Sequence, residues 1–238
     1  MRHGTILAWL TAIAAAAGLA PSCKRSTSAA SIELGLALPA PERVLAGLEP
    51  RTHIFARLMT EEGVIHCTLD GERAPQAVAS FVGLATGRSP HRDRNDGSPS
   101  FTPLYERRRF FRGVPGIFVQ TGCPLDDGTG HPGYRFPPEP HADDADRLVR
   151  GALFLASYTP PPGRSDPHPP PPGHTLGSQF VIALTSMRHL AGSTTVLGRC
   201  ENLEVAERLA RVTQEERQPL LERIEIAPGT GARSAVTD

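Results

Sequence analysis

FFRGVPGIFVQTG, residues 110–122, is the stretch whose reading decides the fold. Its opening pair, Phe110 and Phe111, and the run Ile117–Val119 are apolar enough for a core. Pro115-Gly116 marks a turn between two short extended segments. Arg112 and Gln120 nevertheless sit among these apolar neighbours, and a buried cation or amide needs a partner or a function there.

The segments on either side read mostly as strands. In THIFARLMTEEGVIHCTLDG (52–71), Val64, His66 and Thr68 alternate with Ile65, Cys67 and Leu69, and Glu61-Glu62-Gly63 is the turn. RGALFLAS (150–157), SQFVIALT (178–185), STTVLGRC (193–200) and LERIEIA (221–227) read as further strands. Two stretches carry helical spacing. APQAVASFVGLATG (74–87) has Pro75 for its first turn and Gly87 at its end. LEVAERLARV (203–212) follows Asn202, which is expected to cap it. ERVLAGL (42–48) reads as one helical patch. About eight strands and two helices without βαβ alternation predict a mainly β, antiparallel barrel or sandwich.

The flanks differ in character. Residues 1–22 have a basic start and an apolar run from Ile6 to Leu19, which predicts an export signal. LAPSC (19–23) resembles a lipoprotein cleavage site and makes Cys23 the lipidation candidate, with plain cleavage as the alternative. Residues 23–50 read as a tether, 51–228 as the folded domain and 229–238 as a tail. The expected location is the envelope: periplasmic, or a membrane-anchored lipoprotein whose only membrane contact is the lipid on Cys23. With 25 basic and 25 acidic residues, no general attraction to nucleic acid is expected. Beyond Cys23 there are Cys67, Cys123 and Cys200. Cys67 and Cys200 are expected as small core residues; an oxidising compartment permits a disulfide, but the spacing assigns no pairing. Without C-x-x-C, a zinc ribbon is not expected. TPPPGRSDPHPPPPGH (159–174) holds eight prolines and is expected to be exposed. The run Arg107–Arg109 is read as a solvated turn.

Together the motifs resemble the cyclophilin-type peptidyl-prolyl isomerases. FFRGVPGIFVQTG is similar to the family's F-H-R-x-x-P-G-F-M-x-Q-G-G. GTGHPGYRFPPE (128–139) is similar to G-T-G-G-P-G-Y-x-F-x-x-E, and LGSQFVIAL (176–184) to N-G-S-Q-F-F-I. HLAGSTTVLGRC (189–200) matches W-L-D-G-K-H-x-V-F-G-x-V, and GVIHCTLDGERAPQAVASFVGLATG (63–87) the strand-helix opening. The order is the family's, from about residue 53 to 227. The resemblance implies a closed eight-stranded antiparallel barrel capped by two α-helices. It implies a monomer that isomerises X-Pro bonds of proline-containing polypeptides without cofactor or metal.

The resemblance also assigns residues. Arg112 is the catalytic arginine. Gln120, Ile117, Phe118, Ala156, Ser157, Gln179, Val181, His189, Leu190 and Thr194 fall on substrate-binding positions. Several depart from the family: Ile117 replaces a phenylalanine, Phe118 a methionine, Ser157 an asparagine and Val181 a phenylalanine. His189 stands for a tryptophan and Thr194 for a histidine. The ring pocket thus loses aromatic walls, and turnover is expected to be reduced. Nineteen residues separate Ser157 from Gly177, where the family has a short connection.

Competing chemistry is thin. DDGTGHPG (126–133) lacks the G-K-[ST] ending of a phosphate loop. His168 and His174 alone make a poor metal site. Two function classes remain: an active envelope isomerase, and a weakly active or inactive module that binds proline-containing segments.

Overall fold

The computed structural model describes residues 32, 33, 35–157, 174–215 and 217–229. The expected leader, Cys23, and most of the proline-rich stretch lie outside the described residues. His174, the last residue of that stretch, is buried rather than exposed.

In chain order the elements are β1 (Ile32–Glu33), α1 (Pro41–Val44), β2 (Ile54–Thr60), β3 (Gly63–Leu69) and α2 (Pro75–Thr86). β4 (His91–Arg92), β5 (Pro99–Ser100), β6 (Arg108–Arg109), β7 (Arg112–Val114), β8 (Phe118–Thr121) and β9 (Tyr134–Arg135) follow. The last are α3 (Asp144–Arg147), β10 (Ala152–Ser157), β11 (Thr175–Ala183), β12 (Val196–Glu201), α4 (Leu203–Gln214) and β13 (Leu220–Ala227).

One antiparallel sheet carries nine strands in the order β6-β13-β2-β3-β12-β10-β11-β8-β7. Its two edges, β6 and β7, are separated in the chain only by Phe110 and Phe111, so the sheet curls until its ends meet in sequence. Of the expected closed eight-stranded barrel, the structure bears out the curled, mainly β antiparallel sheet. The strands number nine, and among the described residues no ladder joins β6 to β7. Two-stranded ribbons, β1 with β9 and β4 with β5, lie outside it.

The predicted hairpin forms from Ile54 to Leu69, with Ile65, Cys67 and Leu69 facing in. The Thr60 hydroxyl donates to the Gly63 carbonyl at 2.6 Å and accepts from the Glu62 N–H, which closes the turn. α2 starts on Pro75 and stops at Gly87, whose left-handed φ of 70° suits glycine. It is buried on nearly all sides. Phe81, Tyr105 and Phe180 meet there with ring centres 5.2–5.5 Å apart. Burying such a side chain is worth about 1.5–3 kcal/mol. α4 turns Val205, Ala206, Leu209 and Ala210 inward and packs on β7 and β8.

Four other expectations change. Asn202 gives no side-chain cap to α4; it takes a left-handed conformation, and its carbonyl accepts from Val205. Cys67 and Cys200 are buried but are also joined as a disulfide, because β3 and β12 place them directly opposite each other. The segment read as a tether reaches the core through Leu36, Val44, Leu45 and Leu48. The arginine run is not a solvated turn throughout. Arg108 and Arg109 form edge strand β6 against β13, and Arg108 pairs with Asp126 at 3.3 Å.

Candidate active site

The opening stretch folds into the hairpin β7–β8. Arg112 pairs with Gln120, Gly113 with Val119 and Val114 with Phe118. Gly113 lies on α4 so closely that a Cβ there would sit 2.9 Å from the Ala210 carbonyl oxygen. The turn is fixed by three contacts. The Ile117 N–H donates to Val114 O, Leu184 N–H to Ile117 O, and Gly116 N–H to Glu207 of α4 at 3.2 Å. Glu207 also receives Arg150 at 2.7 Å, and Arg150 donates to Leu184 O. The hydrogen bond from Arg150 holds the Glu207 carboxyl below its ordinary range, against a smaller upward push from burial.

Register carries the site across the sheet. Phe154 pairs with Val181, Val181 with Gln120, and Gln120 with Arg112. Residues paired across antiparallel strands share a face, so these four form one row. Leu153, Ile182 and Val119 form the next row and face the main core. On the site's side, Phe154, Ala156, Val181, Ala183, Met187 and Val196 form a second apolar cluster. Phe118, Leu176 and Leu190 pack against it, partly buried.

Arg112 stands exposed at the edge of this cluster, with its guanidinium over the Phe118 ring. Among the described residues no carboxylate is paired with it. Gln120 is nearly buried, and its amide N–H donates to Gln179 Oε1 at 3.0 Å. Gln179 donates in turn to the carbonyls of Gly128 (3.0 Å) and Gly130 (2.9 Å). Carbonyls only accept, so Gln179 must turn its oxygen toward Gln120, and Gln120 must turn its NH2 toward Gln179. The carboxamide oxygen of Gln120 is thereby left without a donor among the described residues.

The other assigned residues divide by position. Ala156, Val181, Phe118 and Leu190 line the apolar patch. Ile117 and His189 are exposed beside it, His189 on the short 3-10 turn Arg188–Leu190. Ser157 donates its hydroxyl to Ser193 O at 2.7 Å. Gln179 and Thr194 are buried. The Thr194 hydroxyl donates to Leu155 O at 2.6 Å, so both shape the site from behind.

Sequence reading did not find the glycine acceptors. DDGTGHPG stands out in the sequence only as a poor phosphate loop, yet the carbonyls of Gly128 and Gly130 orient the glutamine pair, and their N–H groups are taken by Cys123. Glu207 and Arg150 carry no sequence signal either, since nothing marks two surface charges 57 residues apart as partners.

Residues 55–229 match the family model for cyclophilin type peptidyl-prolyl cis-trans isomerase/CLD. The chain is 33% identical over 166 residues to peptidyl-prolyl cis-trans isomerase A of Mycobacterium tuberculosis, covering 68% of this chain and 83% of that one. It is 33% identical over 145 residues to peptidyl-prolyl cis-trans isomerase B of Streptomyces anulatus, covering 61% and 75%. The fold is similar to a crystal structure of a Cryptosporidium parvum cyclophilin type isomerase, with TM-score 0.55 and 21% identity over 74% of this chain and 98% of that one. A second structure of that protein was solved in the presence of the dipeptide Ala-Pro, with TM-score 0.54, 21% identity, and 73% and 98% coverage. With the family model matched over residues 55–229 and relatives 33% identical over most of their length, the chain belongs to the cyclophilin-type peptidyl-prolyl cis-trans isomerases.

Proposed function

We propose that this isomerase acts on X-Pro bonds of exported or envelope polypeptides, with Arg112 as its catalytic group. Amide resonance sets a barrier of about 18–20 kcal/mol to rotation about the bond. Midway through rotation the nitrogen is pyramidal and basic. A guanidinium that donates to it stabilises the twisted state and not the planar ones. A charge-assisted hydrogen bond of about 1.5–3 kcal/mol corresponds to a rate factor of about ten to a hundred and fifty. The remainder comes from holding the proline ring on Phe118, Ala156, Val181 and Leu190 while the preceding carbonyl swings. Ile117 and His189 extend that wall, Gln120 accepts a backbone N–H, and Ser157, Gln179 and Thr194 support from behind.

The observation that carries this reading is the placement of Arg112. It stands at the rim of the apolar patch, beside Gln120, with no carboxylate partner among the described residues. The test is NMR exchange spectroscopy on a short X-Pro peptide with the purified protein. Catalysed cis-trans exchange supports the reading. Peptide binding without faster exchange overturns it and favours the binding module. The module has its own motive in the smaller side chains at Val181 and Thr194.

Export and a lipid anchor on Cys23 belong to the same proposal. They rest on the leader-like residues 1–22 and on the Cys67–Cys200 disulfide, which suits an oxidising compartment. Intact mass of the membrane-extracted chain checks them. A diacyl adduct on a chain starting at Cys23 is expected, and a soluble, unmodified chain would remove the anchor.

A further inference from the structure

We propose that Cys123 is a positioning residue for Gln120, acting through the Gly128–Gly130 loop and Gln179. This rests on the reading of the apolar patch beside Arg112 as the X-Pro site. Cys123 lies just past β8 and is fully buried. Its sulfur accepts the N–H of Gly128 at 3.3 Å and of Gly130 at 3.2 Å. Its own S–H points to Asp127 Oδ1 at 3.7 Å.

The same two glycines turn their carbonyls to Gln179, which holds Gln120. One sulfur therefore holds from behind the N–H of both glycines, whose carbonyls, each on the next peptide group, hold the glutamine pair in front. Sulfur is suited to this position because it is large and polarisable, so one atom reaches two N–H groups on different residues. The pocket around it is full, since a Cβ at Gly130 would meet Leu125 at 3.0 Å and the sulfur at 3.2 Å. Asp127 steadies the far side of the loop, taking Thr129 N–H at 2.8 Å and the Thr129 hydroxyl at 2.7 Å. Burial pushes its carboxyl upward, but the hydrogen bonds from Thr129 and the thiol outweigh this and keep it below its ordinary range.

Without the sulfur, two buried N–H groups lose their acceptor and the loop shifts to find another. Gln179 then loses its fixed carbonyls, and Gln120 its orientation. The effect belongs in substrate binding, because Gln120 grips the planar and twisted substrate alike, whereas Arg112 does not pass through this chain of contacts.

Two readouts test this on the full chain. The first is hydrogen exchange of the Gln179 side-chain amide, followed by 1H–15N NMR. It should be slow in the wild type, about tenfold faster in Cys123→Ala, and intermediate in Cys123→Ser, whose smaller hydroxyl keeps a donor and an acceptor but reaches only one of the two N–H groups. The second is steady-state isomerisation. Cys123→Ala should raise KM about threefold to tenfold with kcat within about twofold. In a Gln120→Ala background it should add nothing, since coupled residues are non-additive. Unchanged amide exchange in Cys123→Ala overturns the proposal, as does a KM effect that persists in full without Gln120. If the wild type turns over no X-Pro peptide, the function reading fails, and the exchange result alone decides the role of Cys123. If Cys123→Ala does not fold, Asp127→Ala on the exposed side of the loop takes its place. It removes the thiol's acceptor and should speed the same exchange about threefold, and no change there also overturns the proposal.

Discussion

Arg112 and Phe118 meet across the hairpin, with the guanidinium carbon 5.1 Å from the ring centre. The contact is a cation–π pair between an exposed cation and a half-buried ring, worth about 0.5–1 kcal/mol. It holds the exposed guanidinium at the rim of the apolar patch. Phe118 thus has two roles, lining the patch and holding the arginine. Phe118→Leu should keep the lining but release the cation, lowering kcat about twofold to fivefold with a smaller change in KM. Steady-state kinetics on one X-Pro peptide checks the split.

Arg112→Ala should leave the fold intact, because the side chain is exposed and pairs with no carboxylate among the described residues. Turnover should fall by about tenfold or more, the loss of one charge-assisted hydrogen bond made only in the twisted state. Arg112→Lys should recover little, since an ammonium lacks the planar fork that stacks on Phe118. Circular dichroism and exchange spectroscopy on the same samples separate folding from catalysis. Wild-type turnover in Arg112→Ala would remove the assignment.

Gln120→Ala should raise KM about threefold to tenfold and leave kcat nearly unchanged, the size of one neutral hydrogen bond. Gln179→Leu should do the same without touching substrate, and it should also lower stability, because the buried N–H of Gln120 loses its acceptor. Thermal melts beside the kinetics distinguish the two positions.

Glu207 links stability to pH. Its folded pKa lies below the ordinary 4.5, first through the hydrogen bond from Arg150. A carboxyl with a depressed folded pKa adds stability that is complete above its unfolded value and is lost as pH falls through the folded one. The side chain is partly exposed, so the pair is worth about 0.2–1 kcal/mol. Glu207→Gln should therefore unfold at lower urea than the wild type at about pH 7. The difference should narrow as pH falls below the ordinary carboxylate range. A gap that keeps its size as pH falls would assign the effect to packing.

The disulfide spans 133 residues of sequence. A chain-entropy treatment gives a loop this long about 5 kcal/mol, and cross-links typically contribute about 2–4 kcal/mol. The Cys67→Ala/Cys200→Ala double variant should melt about 5–15 °C lower. Calorimetry at matched pH measures it, and an unchanged melting point would contradict the cross-link's contribution.

Much of this architecture was legible in the chain. Alternation in Val64–Leu69 and helical spacing between Pro75 and Gly87 are local, and the structure keeps both nearly to the residue. The row Arg112–Gln120–Val181 was implied by family likeness, and strand register brings it together. What stayed hidden is non-local. The count of nine strands depends on pairs as short as Arg108–Arg109 against β13, which leave no periodic trace. The partnership of Cys67 with Cys200 needs β3 beside β12, which spacing alone does not give. Asn202 misled because a good capping residue was placed left-handed, where its side chain cannot reach the first turn. The burial of Gln179 between Gln120 and the carbonyls of Gly128 and Gly130 also depends on strand register and loop placement, which the motif does not display.

The Cys67–Cys200 bond also changes what a protease can do to this protein. A single backbone cut anywhere between those residues leaves both pieces on one covalent frame. The proline-rich stretch 159–174 and the whole groove hairpin fall inside that interval. A chain nicked there runs as one species on a non-reducing gel and separates only when thiol is added. Strands β10 to β12 then stay tied to the N-terminal hairpin, so clipping yields a two-chain protein rather than dispersed fragments.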